Sequence, residues 1–262
     1  MSDCLSVSAL TGINLVVTRP IGTAAALLSV LRARGAVGVA LPGLSLRETR
    51  DAPTARSLLR AAVGADCWIF TSPSAVRFAF HLEPGLQMGC EAGVFGVGSG
   101  TLLVLSRHGI RASAPTERSD SEGLLALPGL ADVRGKHVAL IGAAGGRDLI
   151  APTLRERGAQ VESIHVYERG RPRLNRRHFD ALARATDPLI TLMSSGEALV
   201  NLVALLPPPL LARLRHQILV VSSARLAAIA EDHGFEDVRE AASASADDLL
   251  DAACKALARH RL

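Results

Sequence analysis

The chain has 262 residues, a formal net charge of +4 and a pI near 9.2. Apolar residues make up 48%, enough for more than one core, but aromatics only 3%, so those cores must be aliphatic. The length suits one large or two modest domains, and the mild basicity permits an anionic partner without demanding one.

Strand and helix signals then alternate along the chain. Ile13 to Thr18 is a β-branched apolar run. A helix opens near Gly22-Thr23, with Thr23 as expected N-cap and Gly35 as its left-handed stop. Val37 to Leu41 reads as a strand broken by Pro42-Gly43. Residues 54–63 read as a helix, Asp66 to Thr71 as a buried strand, and a helix follows from Pro73. Val94 to Val97 is a strand, and 99–108 a helix closed by Gly109. Ser119-Asp120-Ser121-Glu122 has the form of a capping box ahead of Leu124 and Leu125. Val138 to Ile141 is a strand, Arg147 to Arg157 a helix ended by Gly158, and Val161 to Tyr167 a strand. Further strands are expected near 189–193, 218–222 and 236–240, each followed by a helix, with Pro207-Pro208-Pro209 separating two such units. This alternation predicts an α/β fold with parallel sheets covered by helices on both faces.

The chain also repeats itself. Leu31-Arg32-Ala33-Arg34-Gly35-Ala36 returns as Leu154-Arg155-Glu156-Arg157-Gly158-Ala159, residue 31 to residue 154, an offset of 123. Ser72-Pro73-Ser74-Ala75-Val76 is echoed by Ser194-Ser195-Gly196-Glu197-Ala198-Leu199, Val97-Gly98-Ser99-Gly100-Thr101 by Val221-Ser222-Ser223-Ala224-Arg225, and Ser121-Glu122-Gly123-Leu124-Leu125 by Ala246-Asp247-Asp248-Leu249-Leu250, at nearly the same offset. A period this long means a duplicated domain, because solenoid repeats are far shorter. Two similar domains leave a cleft, where ligands commonly bind.

In parallel sheets the ligand lies beyond the carboxyl ends of the strands. Here those ends read Thr18-Arg19-Pro20, Thr71-Ser72-Pro73, Gly98-Ser99-Gly100-Thr101, Gly142 to Gly146, Ser194-Ser195-Gly196 and Ser222-Ser223. Each offers small residues, hydroxyls and backbone N–H groups at a helix N-terminus, chemistry that suits anions. Gly142 to Arg147 lacks the P-loop and dinucleotide spacings; it is a tight turn, or a turn that lets backbone approach an anion. Ser194 and Ser195 are helix caps or ligand contacts. Tyr167, the sole tyrosine, is a packed aromatic or a donor aimed into the cleft.

Other classes are excluded. The eight histidines and four cysteines show no metal or redox spacing, and no GxSxG elbow occurs. Cys67 reads as a core thiol in a reducing compartment. Arg169 to Arg177 is a basic run without interleaved aromatics, so it reads as a solvated connection or an anion-attracting rim rather than a nucleic-acid site. No signal-peptide pattern and no apolar run of membrane-spanning length is present.

The ordered set Val17-Thr18-Arg19-Pro20, Trp68 to Val76, Val97 to Thr101, Ser121 to Leu124, Gly145-Gly146-Arg147, Val166-Tyr167-Glu168-Arg169, Ser194-Ser195-Gly196 and Asp247 to Leu250 resembles the uroporphyrinogen-III synthase family from residue 13 to about 257. One departure is Gly142-Ala143-Ala144, where many bacterial members carry an Arg, so Arg147 is the only side-chain cation of that turn. The resemblance implies two similar three-layer α/β domains joined by a two-stranded linker. The first would hold 1–40 plus 170–262 and the second 46–162, with linkers at about 41–45 and 163–169. The interdomain angle is then expected to vary.

The resemblance also implies a reaction: hydroxymethylbilane, a linear tetrapyrrole with eight carboxylates, loses water, inverts its terminal ring and closes to uroporphyrinogen III. The enzyme would be a lyase of porphyrin (heme) biosynthesis, cytoplasmic and monomeric, with no cofactor and no metal. Its partner would be the polycarboxylate substrate, not nucleic acid or membrane; a transient contact with the preceding pathway enzyme is allowed. By resemblance Tyr167 would be catalytic, helping the hydroxyl depart. Arg19, Thr71, Ser72, Ser99, Thr101, Gly145, Arg147, Ser194, Ser195, Ser222 and Ser223 would bind substrate. The rival reading is a non-catalytic two-lobed binding or sensor protein for a small anion.

Overall fold

In the computed structural model, residues 10–116, 118, 120–145 and 149–260 are described. The elements run β1 (Asn14–Val17), α1 (Ile21–Ala33), β2 (Val37–Ala40), β3 (Ser45–Glu48), α2 (Ala52–Ala61), β4 (Cys67–Phe70), α3 (Pro73–Leu82), β5 (Gly93–Gly96), α4 (Ser99–Arg107), α5 (Ser121–Leu125), β6 (His137–Ala143), α6 (Ile150–Glu156), β7 (Gln160–Gly170), α7 (Arg176–Arg184), β8 (Leu189–Met193), α8 (Gly196–Leu205), α9 (Pro208–Arg215), β9 (Ile218–Val221), α10 (Ala224–Asp232), β10 (Asp237–Glu240) and α11 (Ala246–His260). They build two five-stranded sheets, ordered β10-β9-β8-β1-β2 and β3-β7-β6-β4-β5. The chain divides into two compact units. The first takes in the described residues up to Leu46 and from Gly170 onward; the second is Arg47–Arg169. The first division falls inside β3 and the second at the end of β7, which are neighbours in one sheet.

The first unit shows why short apolar runs form its sheet. Successive strand side chains face opposite ways, so each strand feeds two cores. Leu15, Val17, Ile190, Leu192 and Val220 pack with Leu27 and Leu31 of α1 and with Leu249, Leu250 and Leu257 of α11. Val16, Leu189, Met193, Leu219 and Val221 pack with Leu199 and Leu202 of α8, Leu211 and Leu214 of α9 and Leu226 of α10. The result is helix, sheet, helix. Each fully buried Leu or Val contributes about 1.5–3 kcal/mol, which is how an aliphatic core suffices.

The second unit is built likewise. Cys67 and Ile69 face Leu124, Leu125 and Leu130, with Ile150 and Leu154 of α6. Burial pushes the Cys67 thiol pKa up from its ordinary value. Trp68 and Phe70 alternate to the other face, with rings 6.3 Å apart, and α3 contacts β4 and β6. Gly35 and Gly158, the paired ends of the repeated segments, both take left-handed φ values, +72° and +87°. Among the described residues no helix is long and apolar enough to cross a membrane.

Local chemistry corrects several expectations. Thr23 does not cap α1: the helix begins at Ile21 behind Pro20, and the Thr23 hydroxyl donates to Pro20 O at 3.0 Å. Asp120, not Ser119, caps α5, accepting from Gly123 N at 2.8 Å; Ser119 lies outside the described residues. The basic run is not one connection. Arg169 lies at the end of β7, Arg171 and Arg173 lie in the connection, and Arg176 and Arg177 open α7, where Asn175 and His178 form a capping box.

The far end of α7 depends on one side chain. Arg213 Nη1 donates to Leu182 O at 2.9 Å, and Nη2 donates to Ala185 O and to Asp187 Oδ1 at 3.0 Å. A planar guanidinium satisfies several carbonyls at once. Arg213→Ala strips these partners and is expected to cost about 2 kcal/mol, a fall in Tm of roughly 4–8 °C by calorimetry. An unchanged Tm would show that water replaces the guanidinium without loss.

Candidate active site

The carboxyl ends of the second unit's sheet carry its hydroxyls. Phe70 pairs in register with Ile141 on one side and Gly96 on the other, so Thr71 and Ser72 emerge beside the end of β6. Ser72 caps α3, accepting from Ala75 N at 3.0 Å. Thr71 Oγ1 donates to Ile141 O at 3.1 Å. Gly142 makes room for this: a Cβ there would lie 2.7 Å from Thr71 Oγ1.

Tyr167 arrives from β7 by an irregularity in the ladder. Gly142 pairs with His165 but Ala143 with Tyr167, so β7 carries one extra residue. The usual alternation breaks, and Val166 and Tyr167 are buried in succession. Bulges of this kind re-aim a side chain and concentrate near active sites. Tyr167 Oη lies 3.1 Å from Ser72 Oγ, and its ring stacks on Phe78 of α3, centroids 5.3 Å apart and planes 14° from parallel.

These groups line a cavity of about 720 Å³ formed wholly by the second unit. Thr71, Ser72, Gly145 and Tyr167 of the expected site are in its wall, joined by Arg155, His165, Arg169 and Asp120. Asp120 is engaged by the Gly123 amide and by Arg118, whose guanidinium pKa it holds above the usual value. Arg155 Nη2 donates to Val161 O at 3.2 Å, and Arg169 Nη2 to Gly145 O. Beside apolar residues such as Val97, Leu140 and Ile150, the wall thus carries an aromatic hydroxyl, aliphatic hydroxyls, the His165 imidazole, guanidinium groups and an Asp120 carboxylate engaged by Arg118, a set that can bind carboxylates and offer a proton.

Ser99 and Thr101 do not line this cavity. Ser99 opens α4 behind Gly98. Thr101 is 2% exposed and sits against Gly96, facing the interior. Arg147 lies outside the described residues.

The remaining expected residues stand at the strand ends of the first unit. Val17 pairs with Leu192 and Met193 with Val221, so the segments after β1, β8 and β9 emerge side by side. Arg19 Nη2 donates to Ala244 O, and burial lowers its pKa from the usual guanidinium value. Ser195 and Ser223 cap α8 and α10, accepting from Ala198 N and Leu226 N at 3.3 and 3.4 Å. Ser194 and Ser222 precede them, half-buried. Among the described residues no group of three or more His, Cys, Asp or Glu is placed to hold a metal ion.

Sequence reasoning missed Arg155, His165 and Phe78. Arg155 lies inside the repeated segment, but nothing local says that α6 and β7 flank a cavity. Phe78 is half-buried on α3, and its stack with Tyr167 gives it a place beside the site.

The family model described as "Uroporphyrinogen-III synthase HemD" matches residues 25–251. Uroporphyrinogen-III synthase of Salmonella typhimurium is 34% identical over 248 residues, covering 90% of this chain and 98% of that protein. The Escherichia coli enzyme of the same name is 32% identical over 251 residues, with the same coverage. Among solved structures, the Helicobacter pylori uroporphyrinogen-III synthetase superposes with a TM-score of 0.59 at 15% identity, over 95% of this chain and 99% of that one. A Thermus thermophilus mutant uroporphyrinogen III synthase gives 0.58 at 17%, over 94% and 99%. At these identities the solved structures speak to the fold, and the fold they share is this one.

Proposed function

Because this chain belongs to the uroporphyrinogen-III synthase family, we propose that it converts hydroxymethylbilane into uroporphyrinogen III, acting as a lyase that eliminates water. The observation that carries the chemistry is the Tyr167 hydroxyl, held beside Ser72 in the wall of a cavity flanked by Arg155 and Arg169.

The leaving hydroxyl of the substrate needs a proton. Tyr167 is the phenol in this wall and can offer its O–H to it, and departure as water leaves an azafulvene cation. Closure of that cation without guidance gives the uninverted isomer. The enzyme's task is therefore to hold the chain for attack at the substituted carbon of the terminal ring, through a spiro intermediate. Fixing reacting atoms at contact distance is worth several kcal/mol, up to about 7–11 in well-oriented cases.

The carboxylates supply the handles. The guanidinium groups of Arg155 and Arg169 suit them. A helix N-terminus contributes about 0.3–1 kcal/mol toward an anion. The strand ends of the first unit offer the same chemistry at Ser194, Ser195, Ser222 and Ser223. A cytoplasmic monomer that works without a cofactor belongs to the same reading.

The test is the product formed from hydroxymethylbilane generated in situ. The type III isomer should accumulate in proportion to protein, above the spontaneous type I background. Type I alone would leave a protein that binds such anions without turning them over.

A further inference from the structure

We infer that Ser72 is a positioning residue for Tyr167: its hydroxyl donates to Tyr167 Oη and so leaves the phenol's own proton for the departing hydroxyl of the substrate. The inference rests on the reaction proposed above and adds a division of labour within it.

Either hydroxyl can donate across this 3.1 Å contact, and the cap favours Ser72 as the donor. A serine hydroxyl has one hydrogen and two lone pairs. Ser72 stands at the N-cap of α3, and its oxygen accepts from Ala75 N at 3.0 Å. A capping oxygen turns its lone pairs toward the free N–H groups of the first turn. With its hydrogen turned away from the helix, Ser72 meets Tyr167 Oη, which lies 3.1 Å away and is placed to accept it. The neighbouring Thr71 hydroxyl is spent on Ile141 O, so it does not compete for Oη.

Helix α3 also holds the other part of the side chain. Phe78, two turns along from Ser72, stacks on the Tyr167 ring. One helix thereby fixes the ring plane through Phe78 and the hydroxyl through its cap. With Ser72 donating, the Tyr167 O–H is free to turn into the cavity.

The step balances. The Tyr167 O–H bond breaks as its proton joins the leaving hydroxyl, which departs as water. The oxygen left behind accepts the Ser72 hydrogen bond, and it regains a proton from the macrocycle when the closed ring loses one. Tyrosine and serine end as they began, with one water released per turnover.

The test is a double-mutant cycle on kcat and KM, with the products resolved by isomer. Ser72→Ala should lower kcat about three- to tenfold, the worth of one part-buried hydrogen bond, with KM changed less than about twofold. Ser72→Gly guards against a folding artefact, because glycine is nearly as good a cap; it should show the same loss. Ser72→Thr should restore kcat to within about twofold. In a Tyr167→Phe background, Ser72→Ala should remove less than a further twofold, since residues that act through one another are not additive. If the two losses multiply instead, or if Ser72→Ala acts through KM alone, the inference is overturned while type III formation by the unaltered protein stands. If the unaltered protein yields only type I, the proposed reaction falls and takes the inference with it.

Discussion

Tyr167→Phe is expected to lower kcat for type III formation by about ten- to a hundredfold while leaving the protein folded. General acid groups contribute about 10²- to 10⁴-fold. The expected loss lies at or below the lower limit of that range because positioning of the chain supplies much of the acceleration and survives the change. Phenylalanine keeps the stack on Phe78 and the burial. What it removes is one hydroxyl, the partner of Ser72 Oγ. KM should change little, since the carboxylate handles are elsewhere in the wall. Initial rates with isomer separation measure this directly. An unaltered kcat would take Tyr167 out of the chemistry and leave it a packing residue.

Gly43→Ala is expected to be the most damaging glycine-to-alanine change in the first unit. A Cβ at Gly43 would lie 2.6 Å from Ala198 Cβ, 2.8 Å from Ala198 O and 2.9 Å from Ala198 Cα. These atoms belong to the first turn of α8 and cannot swing aside as a long side chain could. The glycine is held on its other side as well: its N–H donates to Thr18 O at 2.9 Å, and its carbonyl accepts from the buried Asn201 Nδ2 at 3.0 Å. Relief of the clash must move α8, straining the Ser195 cap, or move the loop, leaving the Asn201 amide without its acceptor. Overpacking costs about 1–3 kcal/mol and an orphaned buried polar group about as much again. We expect a loss of about 3–5 kcal/mol, a fall in Tm on the order of 10 °C, read by chemical and thermal unfolding. A fall of less than about 2 °C would mean that α8 and this loop separate easily.

Much of this fold could be read from local pattern. The apolar runs at 13–18, 66–71, 189–193 and 218–222 are strands because each buries both faces in a parallel sheet, which favours continuous hydrophobicity. What escaped had its cause outside the local window. Strand β3, Ser45–Glu48, is half-polar and exists because β7 lies beside it. Helix α7 buries only Leu182 among its nine residues, and its start is marked by an Asn175–His178 box rather than the usual Glu. Helix α9 was hidden by Pro207 to Pro209, read as a separator although Pro208 and Pro209 fit a first turn.

The site divides along the same line. Strand-end hydroxyls were visible as a class, but which of them share a wall depends on long-range contacts. Ser72 and Tyr167 are 95 residues apart in sequence, and the extra residue opposite Gly142 and Ala143 has no local signature. Thr101 was readable and was misplaced. It precedes Val104 and Leu105 by three and four residues, the spacing of one helix face, and all three are buried. Its address was the core.

A crystal structure with uroporphyrinogen III bound tests most directly whether the reaction takes place at the Tyr167 cavity. The account predicts the macrocycle within about 2.6–3.2 Å of Tyr167 Oη, with carboxylates on Arg155 or Arg169. Product bound to the protein with the Tyr167 cavity empty, and Oη still engaged only by Ser72, would contradict it.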